Sequence, residues 1–336
     1  MRQKILVTGG AGFIGSHLCE RLLADGYEVV SIDNFNDHSD PEIKRENIET
    51  IQRHSGSGCF RSYEADIRCF EDILFLLELE KPDALIHLAA LAGVRPSIEK
   101  PELYMDVNIC GTQTLLAACV KRNIGHFIFA SSFSVYGNNV KVPFAESDCV
   151  ESPISPYAAS KKAGELLCHT YSHLYPIQTS CLRFFTVYGP RQRPDLAIHQ
   201  FSKKIMAGKE ICLFGDGGTK RNYTYIDDII DGVRKALIHN LSASETAVKR
   251  YNVFNLGESR VISLDEMVAC LEKVIGEKAV IRRVSMAAGD VFCTYADISK
   301  SREILKYAPQ TSFEEGVVKF IEWMRRKEEV ATLKAS

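Results

Sequence analysis

Three glycines near the amino terminus constrain the fold more than any other feature of this 336-residue sequence. Gly9, Gly12 and Gly15 are spaced three residues apart, between an apolar strand-like run at 4–8 and a helical pattern at 14–25. A tight turn from strand to helix brings backbone N–H groups close to a phosphate, and the helix N-terminus favours its negative charge. The pattern therefore predicts a turn that binds the pyrophosphate of a dinucleotide.

The first half of the chain alternates short apolar runs with helical patterns. Further strands are predicted at 27–32, 59–64, 84–88, 127–130 and 181–185, and helices at 71–80, 104–122 and 157–174. Such alternation is typical of an α/β protein with a Rossmann-type, doubly wound parallel sheet. The predicted units are a dinucleotide-binding domain at 1–186, to which later segments return, a smaller C-terminal lobe for substrate at 187–327, and a flexible tail at 328–336.

The composition argues against several classes of function. Lys and Arg number 41 and Asp and Glu number 43, so the net charge of −2 provides no broad basic surface for nucleic acid or for a membrane. The 11 cysteines are scattered without CxxC pairs, which favours reduced core thiols over disulfides or a metal site. The N-terminus enters a strand pattern directly, without an apolar leader, so we expect a cytoplasmic protein.

Asp33 follows the second predicted strand. A carboxylate at this position accepts hydrogen bonds from both ribose hydroxyls of NAD, and it would repel the 2′-phosphate of NADP. Together with the glycine turn, Asp33 therefore predicts NAD as the cofactor.

Tyr157 and Lys161 form a Y-x-x-x-K pattern in the predicted helix 157–174. Residues four positions apart share a helix face, so the phenol and the ammonium are neighbours. A free tyrosine, with a pKa of about 10, is a poor base at neutral pH, and a nearby cation lowers that pKa. The pair predicts a catalytic phenol whose pKa is lowered by Lys161 and by the positive nicotinamide.

The spacing G-x-x-G-x-x-G differs from the G-x-G-x-x-G of ordinary dehydrogenases. It resembles the extended short-chain dehydrogenase/reductase superfamily, in its NAD-dependent epimerase/dehydratase family, and other segments match in order over residues 3–325. The NAD-binding residues that this resemblance implies are Gly9, Gly12, Phe13, Ile14, Gly15, Asp33, Asn34, Asp66, Ile67, Leu88, Ala89, Ala90, Asn108, Tyr157 and Lys161. It also implies that Ser132, in FIFASSFSVYG, orients the reacting sugar oxygen toward Tyr157.

Within that family, the segment 183–201, RFFTVYGPRQRPDLAIHQF, resembles the UDP-glucuronate 4-epimerase group, as do residues 92–95 and 34–37. The resemblance implies C4 epimerisation of a UDP-sugar through a transient 4-keto intermediate, with UDP-glucuronate converted to UDP-galacturonate. The substrate-binding residues that it implies are Arg95, Ser132, Ser134, Thr186, Arg191, Arg193, Phe214, Arg221 and Asp290. The chain departs from the group at Phe133, which interrupts a run of hydroxyl residues, and at Ala287, where Gln or Arg is frequent.

The two residues after Ser132 separate the reactions of this family. Its 4,6-dehydratases have an Asp-Glu pair there, and its uronate decarboxylases have a Glu at the position of Ser134, whereas this chain has Phe133 and Ser134. The difference favours epimerisation without a further acid–base step. A UDP-glucose or UDP-N-acetylglucosamine 4-epimerase, an NAD-dependent sugar-nucleotide reductase and a non-catalytic NAD-binding protein stay open as alternatives. The resemblance also implies a homodimer formed by the helices at 104–122 and 157–174.

Overall fold

The computed structural model describes residues 2–54, 58–215, 217–243, 250–258, 260–285 and 293–335. The strands are β1 (Lys4–Thr8), β2 (Glu28–Asp33), β3 (Phe60–Glu64), β4 (Ala84–His87), β5 (His126–Ser132), β6 (Gln178–Phe184), β7 (Thr186–Tyr188), β8 (Glu210–Phe214), β9 (Lys220–Arg221), β10 (Tyr223–Tyr225), β11 (Tyr251–Leu256), β12 (Ile262–Ser263) and β13 (Val280–Val284). The helices are α1 (Phe13–Ala24), α2 (Pro41–His54), α3 (Phe70–Glu80), α4 (Val94–Glu99), α5 (Pro101–Met105), α6 (Gly111–Lys121), α7 (Pro156–Leu174), α8 (Ala197–Met206), α9 (Ile226–Leu241), α10 (Leu264–Ile275), α11 (Ser299–Leu305) and α12 (Phe313–Ala335).

Seven parallel strands form the central sheet in the order β11-β6-β5-β4-β1-β2-β3. This arrangement confirms the α/β fold with a Rossmann-type parallel sheet that the sequence predicts. The strand order reverses between β1 and β4, so the loops that leave their carboxyl ends diverge and open a crevice. The edge strand β11 comes from the second half of the chain and pairs with β6 along residues 251–256.

Both faces of the sheet are buried, as is usual for parallel strands. Ile5 and Val7 of β1 belong to the apolar cluster on one face, whereas Leu6 between them belongs to the cluster on the other. The first cluster includes residues of α1 and α9, and the second includes residues of α3, α6 and α7. This two-sided burial explains why the strands read in the sequence as nearly continuous apolar runs.

The C-terminal lobe contains three pairs of short strands, β7 with β10, β8 with β13 and β9 with β12. Ion pairs from its helices connect it to the first helices of the chain. Arg234 of α9 donates to Asp25 at 2.7 Å, and Lys327 of α12 donates to Glu46 of α2 at 2.8 Å. The sequence predicts a flexible tail at 328–336, and helix α12 covers residues 328–335 of it. The flexibility of this tail stays a prediction. Within the described ranges, none of the helices has the length and apolar character that crossing a membrane requires.

Candidate active site

The glycine turn between β1 and α1 is built from very close backbone contacts. Gly9 has a positive φ of 72°, and a Cβ atom on it would lie 2.7 Å from the backbone nitrogen of Ala89. A Cβ atom on Gly15 would lie 2.1 Å from the carbonyl oxygen of Gly9. Gly12 is the N-cap residue of α1 and has no side chain to cap the helix, so the N–H groups of Phe13 and its neighbours are available to an anion. These features fit a dinucleotide pyrophosphate.

Two carboxylates lie at the carboxyl ends of the neighbouring strands β2 and β3. Asp33 ends β2, and its side chain is 7% exposed. Asn34 donates from Nδ2 to Oδ2 of Asp66 at 3.0 Å, which joins the two loops. Hydrogen bonds from Arg68 lower the pKa of Asp66 to about 2, so this carboxylate is charged at neutral pH. The structure thus brings together the residues that the sequence predicts for the adenosine end of NAD.

Lys44 is a residue of this region that the sequence analysis missed. It lies in α2, is 7% exposed, and its Nζ is 3.4 Å from Oδ1 of Asp33. The same ammonium donates to the backbone oxygen and to Oδ1 of Asn36, both at 3.1 Å. A buried lysine therefore supports the carboxylate and the loop that are predicted to hold the ribose. No spacing motif in the sequence marks it, because it reaches the site from a separate helix.

Asn108 fixes the loop that follows β4 against α7. It lies in a π-helical turn, Asp106–Cys110, between α5 and α6, where the sequence predicts one continuous helix. Its Oδ1 accepts from the backbone nitrogen of Leu91 at 2.9 Å, and its Nδ2 donates to the Leu91 oxygen at 3.0 Å and to Oγ of Ser160 at 2.9 Å. The wider turn gives the amide access to both neighbours, as π-turns at functional sites often do.

The predicted NAD-binding residues occupy one continuous edge of the sheet. They lie at the start of α1, at the carboxyl ends of β1 to β4, in the π-helical turn and in the first turns of α7: Gly9, Gly12, Phe13, Ile14, Gly15, Asp33, Asn34, Asp66, Ile67, Leu88, Ala89, Ala90, Asn108, Tyr157 and Lys161. A cavity of about 260 Å³ adjoins the glycine turn and is lined on its far side by α12. The edge therefore has the length and the chemical groups that a dinucleotide requires.

Ser132 and Tyr157 meet at the carboxyl end of β5. Ser132 ends β5 and is 5% exposed, whereas Tyr157 is the second residue of α7. Ser155 caps α7 by accepting from the backbone nitrogen of Ala158 at 3.1 Å, which sets the position of the first turn. The Ser132 hydroxyl lies close enough to the Tyr157 phenol to act on its pKa, and its Oγ accepts from the backbone nitrogen of Ser134 at 3.1 Å. The predicted hydroxyl and the predicted phenol are thus neighbours.

The surroundings of Tyr157 act on its phenol in opposite directions. Burial raises the pKa of the phenol, and the nearby Ser132 hydroxyl and the charge of Arg193 lower it by less. Lys161 donates from Nζ to the backbone oxygen of Ala130 at 2.7 Å, and burial lowers its own pKa to about 8. The groups of the chain therefore leave the pKa of Tyr157 raised, and the expected lowering by Lys161 together with the positive nicotinamide stays a prediction.

A buried ion pair between α7 and β6 lies next to Ser132 and Lys161, and the sequence analysis missed it. Glu165, one turn after Lys161 in α7, accepts from Nε and Nη2 of Arg183 at 2.8 and 2.9 Å. The same carboxylate accepts from Oγ of Ser131 at 2.7 Å, next to Ser132 in β5. Burial acts to raise the pKa of Glu165, but Arg183 lowers it below its usual value of 4.5. The network fixes α7 to β5 and β6. Its one sequence signal is the position of Glu165, four residues after Lys161 on the same helix face.

Arg191 and Arg193, the two arginines predicted as substrate residues after β7, contact different parts of the protein. Arg193 donates from Nη1 to the backbone oxygen of Ala92 at 3.3 Å, and its charge reaches Tyr157. Arg191 instead donates from Nη2 to Oε1 of Glu20 in α1 at 2.7 Å. The structure therefore brings Arg193, but not Arg191, into the surroundings of the phenol.

The other predicted substrate residues lie on several separate elements of both units. Thr186 begins β7, directly after the buried Phe185, and Arg95 is an exposed residue of α4. Arg221 lies in β9. Phe214 ends β8, but its side chain, together with Asp290 and Ala287, lies outside the described residues.

Comparison with known proteins agrees with this geometry. Residues 6–320 match the family described as GDP-mannose 4,6 dehydratase. UDP-glucuronate 4-epimerase of Thermodesulfobacterium geofontis is 40% identical, over 97% of this chain and 97% of that protein. UDP-glucuronic acid 4-epimerase from Bacillus cereus, solved with UDP-glucuronic acid and NAD, gives a TM-score of 0.87 at 38% identity, over 97% of this chain and 100% of that one. UDP-glucose 4-epimerase from Thermotoga maritima, solved with UDP-glucose, gives a TM-score of 0.85 at 31% identity, over 97% and 100%. With its glycine turn and its serine–tyrosine–lysine site, this chain belongs to the extended short-chain dehydrogenase/reductases, in the NAD-dependent epimerase/dehydratase family.

Proposed function

We propose that this protein is an NAD-dependent C4 epimerase of UDP-sugars and that it converts UDP-glucuronate to UDP-galacturonate. The observation that carries the proposal is the juxtaposition of Ser132 and the phenol of Tyr157 at the carboxyl end of β5, on the same sheet edge as the glycine turn. Relatives that carry the name UDP-glucuronate 4-epimerase, and a similar structure solved with UDP-glucuronic acid and NAD, support the choice of sugar and cofactor.

The residues of the chain divide the proton transfer among them. Ser132 holds the C4 hydroxyl of the sugar, and the oxygen of Tyr157 takes the proton of that hydroxyl and later returns it. Before the proton is taken and after it is returned, the positive charge of Arg193 stabilises the phenolate, and Lys161 adds to this stabilisation when protonated. NAD, when bound, supplies the hydride acceptor and donor. Because one phenol serves both directions, the 4-keto sugar must turn over in the site while its diphosphate stays anchored.

The residues beside Ser132 explain why the reaction stops at epimerisation. Elimination or decarboxylation needs an additional acid or base near C5 and C6 of the sugar. Phe133 and Ser134 fill the two following positions, and neither side chain is an acid or base at neutral pH. We therefore propose that the 4-keto sugar leaves the site only as one of the two C4 epimers.

The substrate contacts are also part of this proposal. The hydroxyls of Ser134 and Thr186, which follow the neighbouring strands β5 and β6, would donate to the C6 carboxylate of the sugar. Arg193, whose Nε and Nη2 donate to Asp195 at 3.0 and 2.8 Å, contributes its positive charge beside the phenol. We assign the nucleotide end of the substrate to residues from both predicted units: Arg95, Arg191, Phe214, Arg221 and Asp290.

A turnover assay tests the function. The purified protein, incubated without added NAD, is given UDP-glucuronate, UDP-glucose and UDP-N-acetylglucosamine separately, and chromatography resolves the C4 epimers. We expect UDP-galacturonate to form from UDP-glucuronate with no net NADH. Stoichiometric NADH without an epimer would instead identify an oxidoreductase, and no reaction with any of the three would contradict the proposal.

We also propose a homodimer in which α7 lies at the interface. Leu166 and Leu174 are 57% and 62% exposed on one face of α7, eight residues apart, and Leu103 of the adjacent α5 is 41% exposed. Light scattering should give twice the chain mass of 37.6 kDa, and Leu166→Asp should lower it to one chain, whereas Leu79→Asp on α3 should not. A single-chain mass for the unaltered protein would contradict the dimer.

A cytoplasmic location is supported by the cysteines, since all eleven lie in described residues and carry free thiols.

A further inference from the structure

We propose that Phe133 and Phe185 form an apolar wall beside the C5 substituent of the sugar, and that this wall lets the enzyme accept UDP-hexoses with a neutral C6 group, such as UDP-glucose, as well as UDP-glucuronate. The inference rests on the proposed function and concerns the substrate range of the same site.

The wall is a stacked pair of rings in the segments that follow β5 and β6. The centroids of Phe133 and Phe185 are 5.5 Å apart, and their planes are inclined by 26°. Phe185 is 2% exposed and also contacts the rings of Tyr136 and Phe144, with both centroids at 6.4 Å. Tyr136 and Phe144 stack on each other with centroids 4.8 Å apart. Phe133 is thus held in place by a rigid aromatic cluster beneath it.

In the chain, Phe133 lies between two residues of the proposed sugar site. It is the first residue of the 3-10 turn after β5, and its neighbours on both sides are Ser132 and Ser134. Phe185 directly precedes Thr186, the first residue of β7. Phe133 is partly exposed whereas Phe185 is buried, so Phe133 presents the open face of the pair.

The ring limits the hydroxyls available to a charged substituent. The hydroxyl of Ser134 accepts from Oγ of Ser132 at 3.2 Å and keeps its own proton to donate. Ser134 and Thr186 are therefore the hydroxyl donors that flank the wall. A carboxylate against an aromatic face loses water without gaining a partner there, whereas the C–H groups of a hydroxymethyl substituent pack on the ring. The wall therefore weakens selection for the carboxylate relative to the neutral sugar.

The test is the ratio of kcat/KM for UDP-glucuronate to kcat/KM for UDP-glucose. We expect the unaltered protein to epimerise both substrates, and Phe133→Ser to raise the ratio about tenfold, because the new hydroxyl makes a stronger, charge-assisted hydrogen bond to the carboxylate than to a neutral hydroxymethyl group. Phe133→Ala, which removes the ring without adding a donor, should raise the ratio less. Phe75→Ser, the same replacement at a side chain 63% exposed on α3, should leave it unchanged.

Two results would overturn the inference while leaving the proposed function intact. The first is an unaltered protein that converts UDP-glucuronate and fails on UDP-glucose, which needs no variant to fold. The second is a ratio for Phe133→Ser within twofold of the unaltered protein, measured on a variant whose melting temperature is unchanged. Failure of the unaltered protein on every UDP-sugar would overturn both proposals together.

Discussion

Tyr157→Phe should lower kcat for UDP-glucuronate by about 10³-fold, within the range that general acid–base groups contribute. The variant loses the one oxygen that takes and returns the C4 proton. The ring itself remains, packed edge-on against Tyr104 with centroids 6.3 Å apart, so the melting temperature and the bound NAD should change little. Steady-state kinetics, thermal melting and NAD content of the purified variant measure the three quantities.

Tyr104→Phe provides the matched control for this loss of activity. Tyr104 is also buried near the site, and its hydroxyl donates to the backbone oxygen of Ala92 at 3.1 Å. Its removal deletes a phenol of the same chemistry without touching the proposed proton path, so kcat should fall less than tenfold. Full activity of Tyr157→Phe, or equal losses in the two variants, would refute the assignment of the base.

Glu165→Gln should destabilise the protein by about 3 kcal/mol, because it leaves the guanidinium of Arg183 buried without its counter-charge. The two side chains are 1% and 3% exposed, so little water reaches the charge that remains. Since folding lowers the pKa of Glu165, its contribution is complete at neutral pH and is lost as the pH falls below about 4.5. Urea unfolding of the purified variant at pH 7 measures the free energy.

Two comparisons separate the buried charge from a general effect of substitution. Lys278→Met breaks an ion pair with Glu272 in which the lysine is 89% exposed, so it should cost less than about 1 kcal/mol. The double variant Glu165→Gln with Arg183→Met removes both charges and should be less destabilised than the sum of the single variants. A loss below 1 kcal/mol for Glu165→Gln would show that Arg183 finds another partner.

The sequence predicts the parts of the site that follow from local spacing. The glycine turn, Asp33 at the end of the second strand and the Y-x-x-x-K pair all depend on residues within one turn or one strand end, where geometry is set by a few neighbours. The parallel sheet is predictable for a similar reason, since buried strands and amphipathic helices carry their own periodicity.

Contacts between segments that lie far apart in the sequence cannot be predicted from local spacing. Lys44 reaches Asp33 from a separate helix, and Arg183 meets Glu165 across the sheet. The π-helical turn around Asn108 depends on where Leu91 and Ser160 lie, so the sequence reads as one uninterrupted helix. The direction of the pKa shift of Tyr157 likewise depends on burial, which periodicity alone does not quantify.

The placement of β11 has a consequence for synthesis of the chain. The strand at 251–256 occupies the sheet edge beside β6, so the sheet is incomplete until about three quarters of the polypeptide has left the ribosome. A shorter nascent chain exposes the unpaired N–H and C=O groups of β6 at that edge, which are ready to pair with another strand. Stop codons placed before residue 251 should therefore yield aggregates and not a free nucleotide-binding half.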